Sequence, residues 1–188
     1  MPLRSATDPR WTAVALADLD ATLGDHAHCE KKAAASALKL VADHADLPDL
    51  VRPLAKLAQE ELHHFYGVVA ELGRRGRTLP PDPGDRYAQL LLREVRGGPH
   101  RLLDRLLVCA LIEARSAERL RLLGEALPEP RLADFYAKLA ASEAGHHQLF
   151  ADLAAARFGV DAAAARLAEL ADAEARIVAS LPLGPRIH

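Results

Sequence analysis

Apolar residues recur along this chain at intervals of three and four, the repeat of amphipathic helices. From Trp11 the pattern runs to about His44, with Asp8-Pro9 as N-cap and first helical residue and Gly24 as a candidate bend. A second helix starts near Pro48 and Pro53 and ends around Leu72, where Gly73 offers a C-cap. Residues 73–84, GRRGRTLPPDPG, read as a loop from their Gly and Pro content. A shorter helix over Arg86 to Val95 is broken by Gly97-Gly98-Pro99. A third long helix follows from about His100 to Ala126, then a fourth from Arg131 to Phe158 beyond Pro128 and Pro130. Gly159 and Asp161 mark a stop and a new cap before a last Ala-rich helix, which ends near Ser180.

Short connections inside each long pair and one long connection between the pairs predict an all-α fold. It is a ferritin-like four-helix bundle with a crossover between helices two and three, plus short and C-terminal helices. The 188 residues suffice for one domain, 1–188, with its core bundle at about 8–158 and its C-terminal helix at about 161–180. Half the residues are apolar, mostly Ala and Leu, and aromatics are only 4%, which favours helices over β structure. The net charge of −2 excludes a generally basic nucleic-acid-binding protein while allowing a local basic patch. Cys29 and Cys109 form no Cys-x-x-Cys, so neither a disulfide framework nor a zinc ribbon is expected. No signal-like N-terminus and no apolar run of about 20 residues is present, and the expectation is a soluble cytoplasmic protein without a membrane segment.

Six polar residues interrupt the apolar seams of the four long helices. Two Glu-x-x-His pairs, Glu61/His64 and Glu143/His146, are each preceded by a lone glutamate: Glu30 lies 31 residues before Glu61, and Glu113 lies 30 before Glu143. This is the inventory of a carboxylate-bridged di-iron bundle, in which two helices give one Glu each and two give Glu-x-x-His. Helix two also contains the overlapping frame Glu60/His63, and the seam Leu50, Leu54, Leu57 decides between them. Steps of three and four carry the seam through 61 and 64 to Val68, leaving Glu60 and His63 about 100° away, toward the rim.

The other seams run Leu132, Phe135, Leu139, Glu143, His146, Phe150, Leu153; then Leu102, Leu106, Cys109, Glu113, Leu120, Leu123; and Leu16, Leu19, Leu23, His26, Glu30, Ala33, Ala37. Four buried carboxylates cost several kcal/mol each in lost hydration, and two divalent cations cancel their charge. Oxygen and imidazole donors with open positions suit iron or manganese better than copper or structural zinc. The competing expectation is that these are ordinary Glu and His on solvent-facing stripes. His26, one turn before Glu30 on the same seam, is a partner of that glutamate, an additional ligand, or a partly buried capping histidine. His147 reads as a rim residue.

Several stretches go further. DHAHCEKKAAASAL at 25–38, EELHHF at 60–65, LLDRLLVCALIEARSAERL at 102–120 and SEAGHH at 142–147 resemble the tRNA 2-methylthio-N6-isopentenyladenosine hydroxylase family, a ferritin-like non-haem di-iron group. The crossover at 72–99 is similar to that family's, and the resemblance extends to about Phe158. Ala117 and Leu120 depart from it, at positions where the family often has Cys and Phe.

The resemblance implies two irons held by Glu30, Glu61, His64, Glu113, Glu143 and His146. It further implies O₂-dependent hydroxylation of the isopentenyl side chain beside the tRNA anticodon. No flavin, nicotinamide or iron–sulfur motif is present in the sequence, so the electrons are expected from an external reductase or ferredoxin-type donor. A tRNA substrate needs phosphate contacts, for which Arg74, Arg75, Arg77, Arg93, Arg96 and Arg101 are the candidates. Arg115, Glu118 and Arg119 are spaced for ion pairs and are expected to support the site. Two other functions share the inventory: a rubrerythrin- or ferritin-like oxidase or peroxidase, and a non-catalytic helical interaction module.

Overall fold

The structure is a computed structural model and describes residues 3–188. All regular structure among these residues is helical: α1 (Trp11–Ala17), α2 (Leu19–Asp43), α3 (Pro48–Arg74), α4 (Arg86–Leu92), a 3₁₀ turn (Gly98–His100), α5 (Arg101–Ala126), α6 (Pro130–Phe158) and α7 (Val160–Ser180). No helix among them is long and apolar enough to cross a membrane. The chain divides into two compact units.

The unit formed by Ala13–Gly84 with Pro185–Ile187 is built on the α2/α3 pair. The first helical run breaks at Asp18, not at the expected Gly24. Asp18 leaves helical geometry and its side chain accepts from the Ala21 amide, restarting the helix as α2. Gly24 serves a different purpose: a Cβ there would lie 2.6 Å from Pro80 Cγ, so its missing side chain lets the crossover loop lie against α2. His28 Nε2 lies 2.8 Å from the Pro80 carbonyl, and Lys32 reaches Asp82 at 2.9 Å, fastening the same stretch. The α3 helix runs past Gly73 to Arg74, and the left-handed residue after it is Gly76, with φ +69°. The Arg77 amide returning to the Leu72 carbonyl closes that turn.

The second unit comprises the described part of Met1–Thr12, then Asp85–Gly184 and His188. Here α6 and α7 pack on α5, and α4 packs on α5 and α7. Burial covers α5 on nearly every face, from Leu102 and Leu103 to Leu123 and Gly124, and takes in Asp104, Glu113, Arg115 and Arg119 as well as its apolar residues. Asp85 caps α4, which stops at Leu92, short of the expected Val95. Gly159 is the N-cap of α7, and Asp161 sits in the first turn instead of capping it.

Asp104 in the first turn of α5 is fully buried and accepts from Arg96 (Nε 2.9 Å, Nη2 2.7 Å, backbone N 2.9 Å) and from Arg166 of α7 (Nε 3.1 Å, Nη2 2.9 Å). Burial pushes its carboxyl up, but the two guanidiniums outweigh that and hold it at about 2, below the ordinary 3.8. A depressed carboxyl stabilises the fold above its unfolded value and loses that contribution as pH falls toward the folded one. Asp104→Asn should therefore lower stability near pH 6 by about 2 kcal/mol, the deficit shrinking as pH drops from about 4 to 2. Urea titrations of both proteins across that range check it; a deficit constant with pH would contradict the assignment.

Candidate metal centre

The α2/α3 unit brings together Glu30, Glu61 and His64. His64 Nδ1 is 3.5 Å from Glu30 Oε2 and 3.7 Å from Glu61 Oε2, and Glu61 is fully buried at 0% exposure. His26 Nε2 lies 2.5 Å from the other oxygen of Glu30. A histidine on that oxygen orients the carboxylate and leaves its partner oxygen toward His64. The overlapping frame faces the other way: Glu60 is half-buried and pairs with Lys56 at 3.2 Å, and His63 is exposed. Helix periodicity thus separated the buried pair from the surface pair.

The α5/α6 unit carries the matching set. Glu113 is buried on α5, and on α6 Glu143 and His146 are buried with Nδ1 to Oε2 at 3.0 Å. The α6 seam is rotated slightly from the expected one: Tyr136 and Ala154 are fully buried, whereas Phe135 and Leu153 are only half-buried. His147 is not a simple rim residue, since its Nδ1 sits 2.8 Å from the Ala110 carbonyl and ties α6 to α5. Each unit therefore offers two buried carboxylates and one imidazole on adjacent helices. That donor chemistry suits iron: hard oxygen ligands with one borderline nitrogen each, and anionic charge that a divalent ion offsets.

Arg115, Glu118 and Arg119 belong to a buried polar network. Arg115 is fully buried and grips Glu174 of α7 with two bonds, Nε at 2.9 Å and Nη2 at 3.0 Å. It also donates to Glu118 at 2.5 Å, to Thr7 Oγ1 at 3.2 Å and to the Ser5 carbonyl at 2.9 Å. Tyr87 adds its hydroxyl to Glu174 at 3.1 Å, and burial together with that carboxylate pushes the phenol well above its ordinary value. Arg119 stacks over the Trp11 ring at 5.2 Å, and burial lowers its guanidinium. Sequence reading found the three residues but not Thr7, Tyr87 or Glu174. Their partnerships span 59 positions, from Arg115 to Glu174, up to 112, from Arg119 to Thr7, and no local spacing encodes them.

The candidate basic residues divide. Arg75 and Arg77 both bond Asp20, at 2.5 and 2.6 Å, and Arg74 pairs with the buried Glu71. Arg96 is held by Asp104, while Arg93 and Arg101 are exposed.

Comparison with known proteins places this arrangement. A tRNA 2-(methylsulfanyl)-N(6)-isopentenyladenosine(37) hydroxylase of Pseudomonas putida is 42% identical over 184 residues, 97% of this chain and 89% of that protein. A hydroxylase of the same description from Salmonella typhimurium is 35% identical over 140 residues, 74% of this chain and 51% of that protein. A solved structure described as Protein 43 with aldehyde deformylating oxygenase activity from Synechococcus superposes with a TM-score of 0.95 at 41% identity, covering 100% of this chain and 96% of that one. The fold class is accordingly all-α and ferritin-like. The family described as tRNA-(MS[2]IO[6]A)-hydroxylase (MiaE) matches residues 2–188, and the chain belongs to that family of tRNA-modifying hydroxylases.

Proposed function

We propose that this chain hydroxylates the isopentenyl side chain of 2-methylthio-N6-isopentenyladenosine next to the tRNA anticodon, in the cytoplasm. The observation that carries the reading is the doubled, buried set of one Glu plus Glu-x-x-His, in a chain matched along its length by the hydroxylase family. Glu30, Glu61 and His64 from one unit and Glu113, Glu143 and His146 from the other are the ligands for two iron ions. Residues 1–188, matched along their length by one family, are read as a single functional domain.

When bound, the irons supply activation of O₂, which side chains alone cannot perform. One oxygen atom enters a C–H bond and the other leaves as water, so each turnover consumes two electrons and two protons. An external reductase or ferredoxin-type donor supplies the electrons. The chain's own residues give the site its charge balance and its dryness. The glutamates offset the charge of the cations, His26 keeps Glu30 oriented, and the surrounding seams of Leu, Ala and Phe exclude bulk water. Arg115, Glu118 and Arg119 support α5 through their network, and the phosphate contacts come from those of the candidate arginines that carboxylates leave available.

The Synechococcus structure favours a second reading, because its 41% identity is close to the 42% of the Pseudomonas hydroxylase. An aldehyde-deformylating oxygenase of the same fold would act on an aldehyde and ignore tRNA. Mass spectrometry of nucleosides decides between them, using tRNA bearing the isopentenyl modification, the iron-loaded protein, O₂ and a reductant. The expected result is a gain of one oxygen on the modified adenosine. Unaltered nucleosides alongside aldehyde consumption would establish the second reading.

A further inference from the structure

We infer that the tRNA backbone is gripped by a basic face at the α4–α5 junction, made by Arg93 and Arg101, which flank the Gly97-Gly98-Pro99 turn. The neighbouring arginines of the crossover loop serve the fold instead. The inference rests on tRNA being the substrate.

Availability of charge separates the two groups. Arg75 and Arg77 share one carboxylate, Asp20, whose pKa they lower by hydrogen bonding, and Arg74 is spent on Glu71. A phosphate arriving there competes with bonds already made. Arg93 and Arg101 are exposed, and among the described residues neither has an acidic or hydrogen-bonding partner for its guanidinium. Residues 85–105 contain five arginines against three acids, in a chain whose net charge is −2. One of those acids, Asp104, is buried beneath Arg96 and Arg166 and offers nothing to repel an anion.

The turn itself is held and open. Arg96 bonds Asp104 through both backbone and side chain, and Arg166 donates to the Glu94 carbonyl at 2.8 Å. Residues 94–96 are thereby fixed beside the first turn of α5, with Arg93 on one side and Arg101 on the other. A Cβ at Gly97 or Gly98 would meet nothing within 4 Å, and Gly98 adopts φ +61°, so the backbone there is bare on its outer side. A sugar–phosphate chain fits such a surface, because a bare turn admits close approach and free guanidiniums displace its counterions. Arg101 stands 12 residues before Glu113 on the same helix, about 18 Å along its axis.

The test is fluorescence anisotropy with labelled full-length tRNA and the iron-loaded protein at several salt concentrations. Arg93→Ala/Arg101→Ala should weaken binding at least tenfold at 0.1 M salt and reduce the slope of log K against log salt by about 1 to 2. Arg75→Ala/Arg77→Ala should remain within about threefold of the unmutated protein. Iron content and thermal midpoint of the first variant should be unchanged, showing that lost affinity is not lost structure. Equal losses in both variants, or a larger loss in Arg75→Ala/Arg77→Ala, would overturn the assignment while leaving the tRNA reading intact. Failure of the unmutated protein to bind tRNA at all would overturn both.

Discussion

Glu61→Ala and Glu143→Ala should each abolish hydroxylation and reduce iron below two per chain while the protein stays helical. Both residues are essentially fully buried, at 0% and 1% exposure, and each shares a turn with a histidine of its own triad. Removing a carboxylate takes away one unit of the charge that offsets a divalent ion, and with it a coordinating oxygen. Loss of a mere partner of a ligand costs about 10- to 100-fold in metal affinity or activity, and losing the ligand should exceed that. Stability supplies an independent reading. Iron at about a hundred times its dissociation constant stabilises the folded state by about 2.7 kcal/mol. For a chain of this size that raises the melting temperature by about 5–10 °C. The rise should be present in the unmutated protein and much reduced in either variant. Two irons and full activity retained in Glu61→Ala would remove that glutamate from the ligand set.

The second large effect lies outside the metal centre. Arg115→Met should destabilise the protein by about 3–5 kcal/mol, because it leaves a buried charge uncompensated. Glu174 is fully buried and takes two bonds from that guanidinium, and Tyr87 already donates to one of its oxygens. Thr7, Glu118 and the Ser5 carbonyl lose a donor in the same change. The double variant Arg115→Met/Glu174→Gln should recover much of the loss, since a neutral amide still accepts from Tyr87 and no longer needs a cation. Thermal and urea denaturation of the single and double variants measure both effects. A single-variant loss under about 1 kcal/mol would show that water or rearrangement compensates Glu174.

The helices and the inward-facing Glu-x-x-His frame were legible because both are local. Burial at Leu50, Leu54, Leu57, Glu61 and Val68 follows steps of three and four that any reader of the chain can count. Element ends were less legible. Asp18 breaks the first helix because a short acidic side chain competes for the amide three residues on, a choice that Gly24 obscured. Gly24 itself is explained by Pro80, more than fifty residues away. The same limit applies to the arginines, since six of them looked equivalent as basic residues near a long connection. Four proved to be held by Asp20, Glu71 and Asp104, and two were left to solvent.

By itself, the amino-acid sequence determined the all-α class, the order of the four long helices, the doubled Glu-x-x-His with its two lone glutamates, and the resemblance to tRNA hydroxylases. Each of these rests on helical period, on short-range spacing or on residue identity. Tertiary structure alone decided which polar groups pair over long distances: Arg115 with Glu174, Asp104 with Arg96 and Arg166, and Asp20 with Arg75 and Arg77. The reason is physical. A helix dictates which residues share a face from spacing alone, whereas an ion pair between elements depends on how those elements pack. Where the chain spends its charges internally, and where it leaves them for a partner, is visible only once the helices are in place.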